Sequence, residues 1–133
     1  MTQPPCIFPT FRCRDPDAAV AFLKAAFGFV VTAEHRQDGA IAHAELALGG
    51  SVIMLGAVRK DDYGRLVGEP GNQGGKSLYL AVEDIDAAFR SAEAAGAEIL
   101  EPLVDRDYGS REFICRDPEG SIWCLGTYRP QLA

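Results

Sequence analysis

The chain has 133 residues, 47% hydrophobic, 24% charged and 9% aromatic, with a formal net charge of -6 and a pI of about 4.8. That is enough apolar chain for one domain, or for two small units sharing a core, and it lies well outside the disordered range. The acidic balance lacks the basic face that nucleic acid or an anionic membrane surface attracts. The proline-rich opening "MTQPPCIFPT" lacks the layout of a signal peptide, and no apolar run approaches the ~18 residues of a membrane span, so a soluble cytoplasmic protein is expected.

In chain order, "CIFPTFRC" reads as a strand. Asp15 then stands as a helix N-cap, with Pro16 at the first helical position, where its missing N–H costs nothing. Ala19, Phe22, Leu23, Ala26 and Phe27 fall on one helical face, and Gly28 suits a left-handed C-terminal residue. "FVVTAEHR", "IAHAELALG" and "SVIMLG" follow as strands, broken by "QDG" and "GG" turns. Residues 58–75 are polar and Gly-rich and read as a connecting loop. "SLYLAV" resumes as a strand. Asp84 caps a second helix with Ile85, Ala88, Phe89 and Ala92 as its stripe, and Gly96 closes it. "AEILE", "SREFICR" and "SIWCLGTY" complete the set, the last two joined by "DPEG" as a hairpin turn.

The two halves repeat. Asp15 aligns with Asp84 and Gly28 with Gly96, at offsets of 69 and 68 residues, about half the chain. Each half reads strand, helix, strand, strand, strand. "GNQGGKS" approaches a phosphate-binding loop, but Pro70 stands where its first glycine belongs, and a strand follows where a helix N-terminus is needed. Cys6, Cys13, Cys115 and Cys124 form no CxxC pair and are expected as reduced thiols.

The segments "RDPDAAVAFLKAAFGF", "HAELALGGSVIMLG", "VEDIDAAFRSAEAAGAEIL" and "YGSREFICRDPEGSIWCLGTY", in this order, resemble the vicinal oxygen chelate superfamily of glyoxalases, bleomycin-resistance proteins and extradiol dioxygenases. The resemblance spans residues 5 to 128. It implies an α+β fold: one glyoxalase-like domain over 1–133, built of two βαβββ modules in tandem, module one 5–57 and module two 76–128, linked by 58–75. It further implies sheets curling into a cup around a small-molecule site, and a homodimer. Metal-dependent members place ligands on the opening strand of each module, seven residues before the capping Asp, and on each last strand. Those positions here are Phe8, Met54, Ser77 and Cys124. A catalytic divalent cation wants imidazole and carboxylate ligands. Phe8 has no donor, Met54 is soft, Ser77 is a poor neutral ligand, and Cys124 alone holds no zinc. The expectation is no metal and no cofactor.

Other residues leave alternatives open. His43 and Glu45, two apart on a strand, share a face if the alternation holds. They are a base with its partner, a fragment of a relocated metal site, or a solvated face. Tyr108 and Arg111 either reach the cup mouth to meet an anionic or aromatic ligand, or pack on the rim, Arg111 pairing with Glu112 or Asp117. His35 reads as surface. Trp123 and Phe8 with Met54 would make the cup apolar. The expected ligand-binding set is therefore Phe8, His43, Met54, Ser77, Tyr108, Arg111, Trp123 and Cys124, with no catalytic residue. The implied function is sequestration of a small aromatic or hydrophobic molecule. The alternatives are a metal-dependent lyase or dioxygenase with relocated ligands, and a regulatory module with a vestigial cup.

Overall fold

A computed structural model describes residues 4–71 and 74–131. Asn72 and Gln73 of "GNQGGKS" and the first three residues of "MTQPPCIFPT" lie outside the described residues. The chain divides into two compact units, Met1–Lys24 with Gly28–Pro70 and Ala25–Phe27 with Gly71–Ala133. Among the described residues no helix is long and apolar enough to cross a membrane.

The first unit holds β1 (Thr10–Cys13), α1 (Pro16–Phe27) apart from its last three residues, β2 (Val30–Gln37), β3 (Ala40–Leu48), β4 (Ser51–Ala57) and α2 (Asp62–Val67). Its sheet runs β1-β4-β3-β2, with β1 parallel to β4 and the other pairs antiparallel. The α1 signals act as the sequence predicts. Asp15 accepts from the Ala18 N–H at 3.1 Å, and Gly28 ends the helix at φ 84°. Asp38 and Gly39, at φ 54° and 81°, turn β2 into β3 with two left-handed residues, the twist a tight hairpin wants.

β3 carries one irregularity that matters. Ala42 is left out of the ladder between the pairs His35–His43 and Arg36–Ile41. An extra residue reverses the alternation. Ile41 therefore joins Ala44, Leu46, Ile53 and Leu55 on the buried face, all at most 4% exposed, and leaves the His43 face on which simple alternation puts it.

The second unit repeats the plan with β5 (Leu78–Ala81), α3 (Ile85–Ala94), β6 (Glu98–Asp105), β7 (Arg111–Arg116) and β8 (Ile122–Gly126). Its sheet runs β5-β8-β7-β6, with β5 parallel to β8. Asp84 caps α3 through the Ala87 N–H at 3.0 Å. α3 lies over one face of the sheet, where the Phe89 ring meets Phe113 edge-on at 5.1 Å. Phe113, Cys115 and Leu125 on that face are fully buried, each large apolar side chain contributing about 1.5–3 kcal/mol. The β7–β8 turn is organised by Asp117, whose carboxylate accepts from the Glu119 and Ser121 N–H groups and from Trp123 Nε1.

The two sheets are the two expected modules. The stretch 58–75, expected as a loop, contains α2. Asp61 accepts from the Gly64 N–H at 2.7 Å and starts this short helix, and Gly68 at φ 82° ends it. None of its residues is buried, so composition alone reads the segment as loop.

Candidate functional site

Each sheet has a buried face and a more open one. In β8, Trp123 and Leu125 point to the α3 side, so Cys124 and Gly126 point the other way. Two rows cross this open face. One runs Tyr79, Cys124, Ile114, Glu101; the other runs Ala81, Gly126, Glu112, Val104.

Glu112 is the centre of the second row. Only 4% exposed, its Oε1 accepts from the Tyr108 hydroxyl at 2.8 Å and from Arg106 Nε at 3.2 Å, with the Cys124 thiol at 3.8 Å. Arg106 also binds Glu101 through Nη2. Burial alone would raise the Glu112 carboxyl, but the hydrogen bonds from Tyr108, Ser110 and Arg106 outweigh it and hold it below the ordinary range. Gly126 makes room for this group. A Cβ there would stand 2.6 Å from Glu112 Cγ and from the Tyr79 hydroxyl.

Tyr108, which bonds the carboxylate, belongs to a group of three tyrosines. The Tyr79 hydroxyl donates to the Tyr128 carbonyl at 2.9 Å, and the Tyr128 N–H donates to Ser110 Oγ at 3.1 Å. The Tyr128 ring meets Tyr79 at 6.4 Å and Tyr108 at 6.2 Å, both edge-on. All three rings are accessible, at 39%, 59% and 48% for Tyr79, Tyr108 and Tyr128. Beside them Cys124 is a poor nucleophile: burial first, then the Glu112 charge, pushes its thiol up to about 11.

The first sheet's open face is built differently. Its rows run Thr10, Met54, Glu45, Ala33 and Arg12, Gly56, His43, His35. His43 Nε2 lies 3.1 Å from Glu45 Oε2, and both side chains are about two-fifths exposed. Arg12 donates to the Ala57 carbonyl at 3.2 Å, pairs with Asp61 at 3.3 Å and stacks under the Tyr63 ring at 4.9 Å.

These placements sort the expected site residues. Tyr108 and Cys124 meet at Glu112. His43 and Met54 share the open face of the first sheet. Phe8 and Ser77 precede β1 and β5, and the residues that share rows with Met54 and Cys124 are Thr10 and Tyr79, two positions later in each case. Trp123 is 3% exposed on the α3 face, its indole N–H bound to Asp117. Arg111 also points to that face, where it pairs with Asp86 of α3 and with Asp105. Neither it nor Trp123 stands with Cys124, because residues adjacent on a strand face opposite ways. Reading from the sequence missed Glu112, Arg106, Glu101, Tyr79 and Tyr128 as a group. The available signal was a Glu at an alternating position of "SREFICR", two residues before the open-face Ile114.

The donors at these positions do not fit a catalytic divalent metal. Thr10, Met54, Tyr79 and Cys124 offer neither imidazole nor carboxylate. Of the carboxylates on these faces, Glu112 and Glu101 are taken by Arg106, itself a cation, and Glu45 is paired with His43. Among the described residues no three His, Cys, Asp or Glu side chains are grouped as a metal would need.

The family model described as the Glyoxalase/Bleomycin resistance protein/Dioxygenase superfamily matches residues 8–125. An uncharacterized protein of Mycobacterium bovis is 33% identical over 129 residues, covering 92% of this chain and 82% of its own. The crystal structure of TioX from Micromonospora sp. ML1 superposes with a TM-score of 0.74 at 31% identity, covering 93% of this chain and all of that one. The fosfomycin resistance protein FosX from Mesorhizobium loti shares the fold, with a TM-score of 0.70 at 14% identity over 96% of this chain and 95% of its own.

Proposed function

The chain belongs to the glyoxalase/bleomycin resistance protein/dioxygenase superfamily, and we propose that it binds a small, flat aromatic or hydrophobic molecule without a metal, holding it rather than converting it. The observation that carries this reading is the accessible trio of Tyr79, Tyr108 and Tyr128, with ring contacts fixed by Tyr128 in the middle. Large amphipathic rings, two of them held by hydrogen bonds at the Tyr79 and Tyr108 hydroxyls, offer stacking area at little entropic cost. The neighbouring groups suit holding better than chemistry. Glu112 is engaged by Tyr108, Ser110 and Arg106 as well as by the Cys124 thiol, and that thiol is strongly protonated at neutral pH. Sequestration is the mode that the bleomycin-resistance branch of the family name suggests. The metal-dependent alternative rests on the His43–Glu45 pair, which lacks a third donor among the described residues.

Calorimetric titration with planar aromatics such as acridine tests the reading. Binding is expected in the presence of chelator, and Tyr128→Ala is expected to weaken it about tenfold. Binding that appears only on adding zinc, nickel, manganese or iron would overturn it.

A further inference from the structure

We infer that the molecule taken up on the second sheet's open face is an organic cation, its positive charge carried on or beside the flat ring system; the inference rests on the aromatic-binding reading above. Two features of the tyrosine face select the charge.

The first is the state of the rings. A phenol that donates its proton to an acceptor gains electron density, which deepens the negative potential over its face, and that potential is what attracts a cation. Tyr108 donates to the buried Glu112 carboxylate at 2.8 Å, and Tyr79 donates to the Tyr128 carbonyl at 2.9 Å. Two of the three accessible rings are therefore tuned toward cations by their own hydrogen bonds.

The second is the charge beneath them. Glu101 and Glu112 share one cation, Arg106, which gives Nε to Glu112 and Nη2 to Glu101. The cluster is left with one net negative charge. Its Nε and Nη2 are both committed to carboxylates, so the guanidinium charge is already neutralised within the cluster. Arg116, on the same side of β7, pairs with Glu98 at 3.1 Å. The chain's net charge of -6 adds long-range attraction for a cation.

Three probes of one shape separate the outcomes on the intact chain at neutral pH: proflavine, a cation; acridine, neutral; and acridine carboxylate, an anion. Proflavine is expected to bind about tenfold tighter than acridine, with the carboxylate weakest, and added salt should narrow the gap. Glu101→Gln changes a half-exposed carboxylate outside the core and is expected to reduce the proflavine-to-acridine ratio about threefold. Equal affinities, a preference for the anion, or a ratio that Glu101→Gln leaves untouched would overturn the inference while leaving aromatic binding intact. Failure of all three probes to bind would instead overturn the aromatic reading, and this inference with it.

Discussion

Gly56 of β4 and Gly126 of β8 occupy the same place in the two sheets, each paired across the middle strand with a titratable residue: His43 beside Gly56, Glu112 beside Gly126. Around Gly56 there is space. A Cβ would find Arg12 and the Ala42 carbonyl at 3.8–3.9 Å. Around Gly126 the space is filled by Glu112 and the Tyr79 hydroxyl. In the first sheet the flanking row residue on the parallel edge is Arg12, which turns to Asp61 and Tyr63, and His43 with Glu45 stays half exposed. In the second the equivalent residue is the small Ala81, and the rim segment after β6 brings Arg106 and Tyr108 over the carboxylate. The same register thus supports a solvated pair in one unit and a buried, fully bonded carboxylate in the other. The difference lies in which neighbours supply donors, not in the strands.

Removing the charge at the two positions should separate them most. Glu112→Gln keeps the shape but gives up the charge-assisted bonds from Arg106 and Tyr108, and should cost about 2–3 kcal/mol of unfolding free energy. Glu45→Gln should cost less than ~0.5 kcal/mol, as for an exposed pair. Urea denaturation of both variants reads this, and equal losses would erase the distinction between the two units. The glycines come next. Gly126→Ala forces Glu112 and Tyr79 to shift and should cost about 1–3 kcal/mol. Gly56→Ala meets only ordinary contacts and should lie within ~0.5 kcal/mol of the parent, with a small gain from stiffening the unfolded chain.

Much of the framework was readable because it is written in local signals. Asp15, Asp84, Gly28 and Gly96 act through their nearest neighbours, and the repeat placed the strands around them. What failed to show in the sequence depends on pairing. Phe8 and Ser77, counted from the capping Asp, precede β1 and β5, and it is the ladder that puts Thr10 and Tyr79 in register with Met54 and Cys124. The omission of Ala42 from its ladder, which buries Ile41, has no signature in "IAHAELALG". Glu112 read as a partner for Arg111, its neighbour in sequence. In a strand those neighbours face apart, and its actual partners, Arg106 and Tyr108, come from the segment before β7.

The smallest effect concerns acid. A carboxyl held below its ordinary value contributes stability that is complete above the unfolded value, about 4.3 for Glu, and is lost as pH falls through the lower folded value. Glu112 is such a group. The first unit has its own: Asp17 is lowered chiefly by the Ile41 N–H, and Asp61 by the Gly64 N–H. Asp117 runs the opposite way, raised by burial, so its ionisation as pH rises works against the fold. Loss of stability in acid is therefore common to both units and does not identify Glu112. The difference between parent and Glu112→Gln does, since every other carboxyl cancels. That difference should be full above about pH 5 and shrink steadily below about pH 4, as the parent's Glu112 takes up its proton and comes to resemble the glutamine. Denaturation curves that stay parallel across this range would mean that the charge of Glu112 contributes nothing, and that its burial is a matter of packing alone.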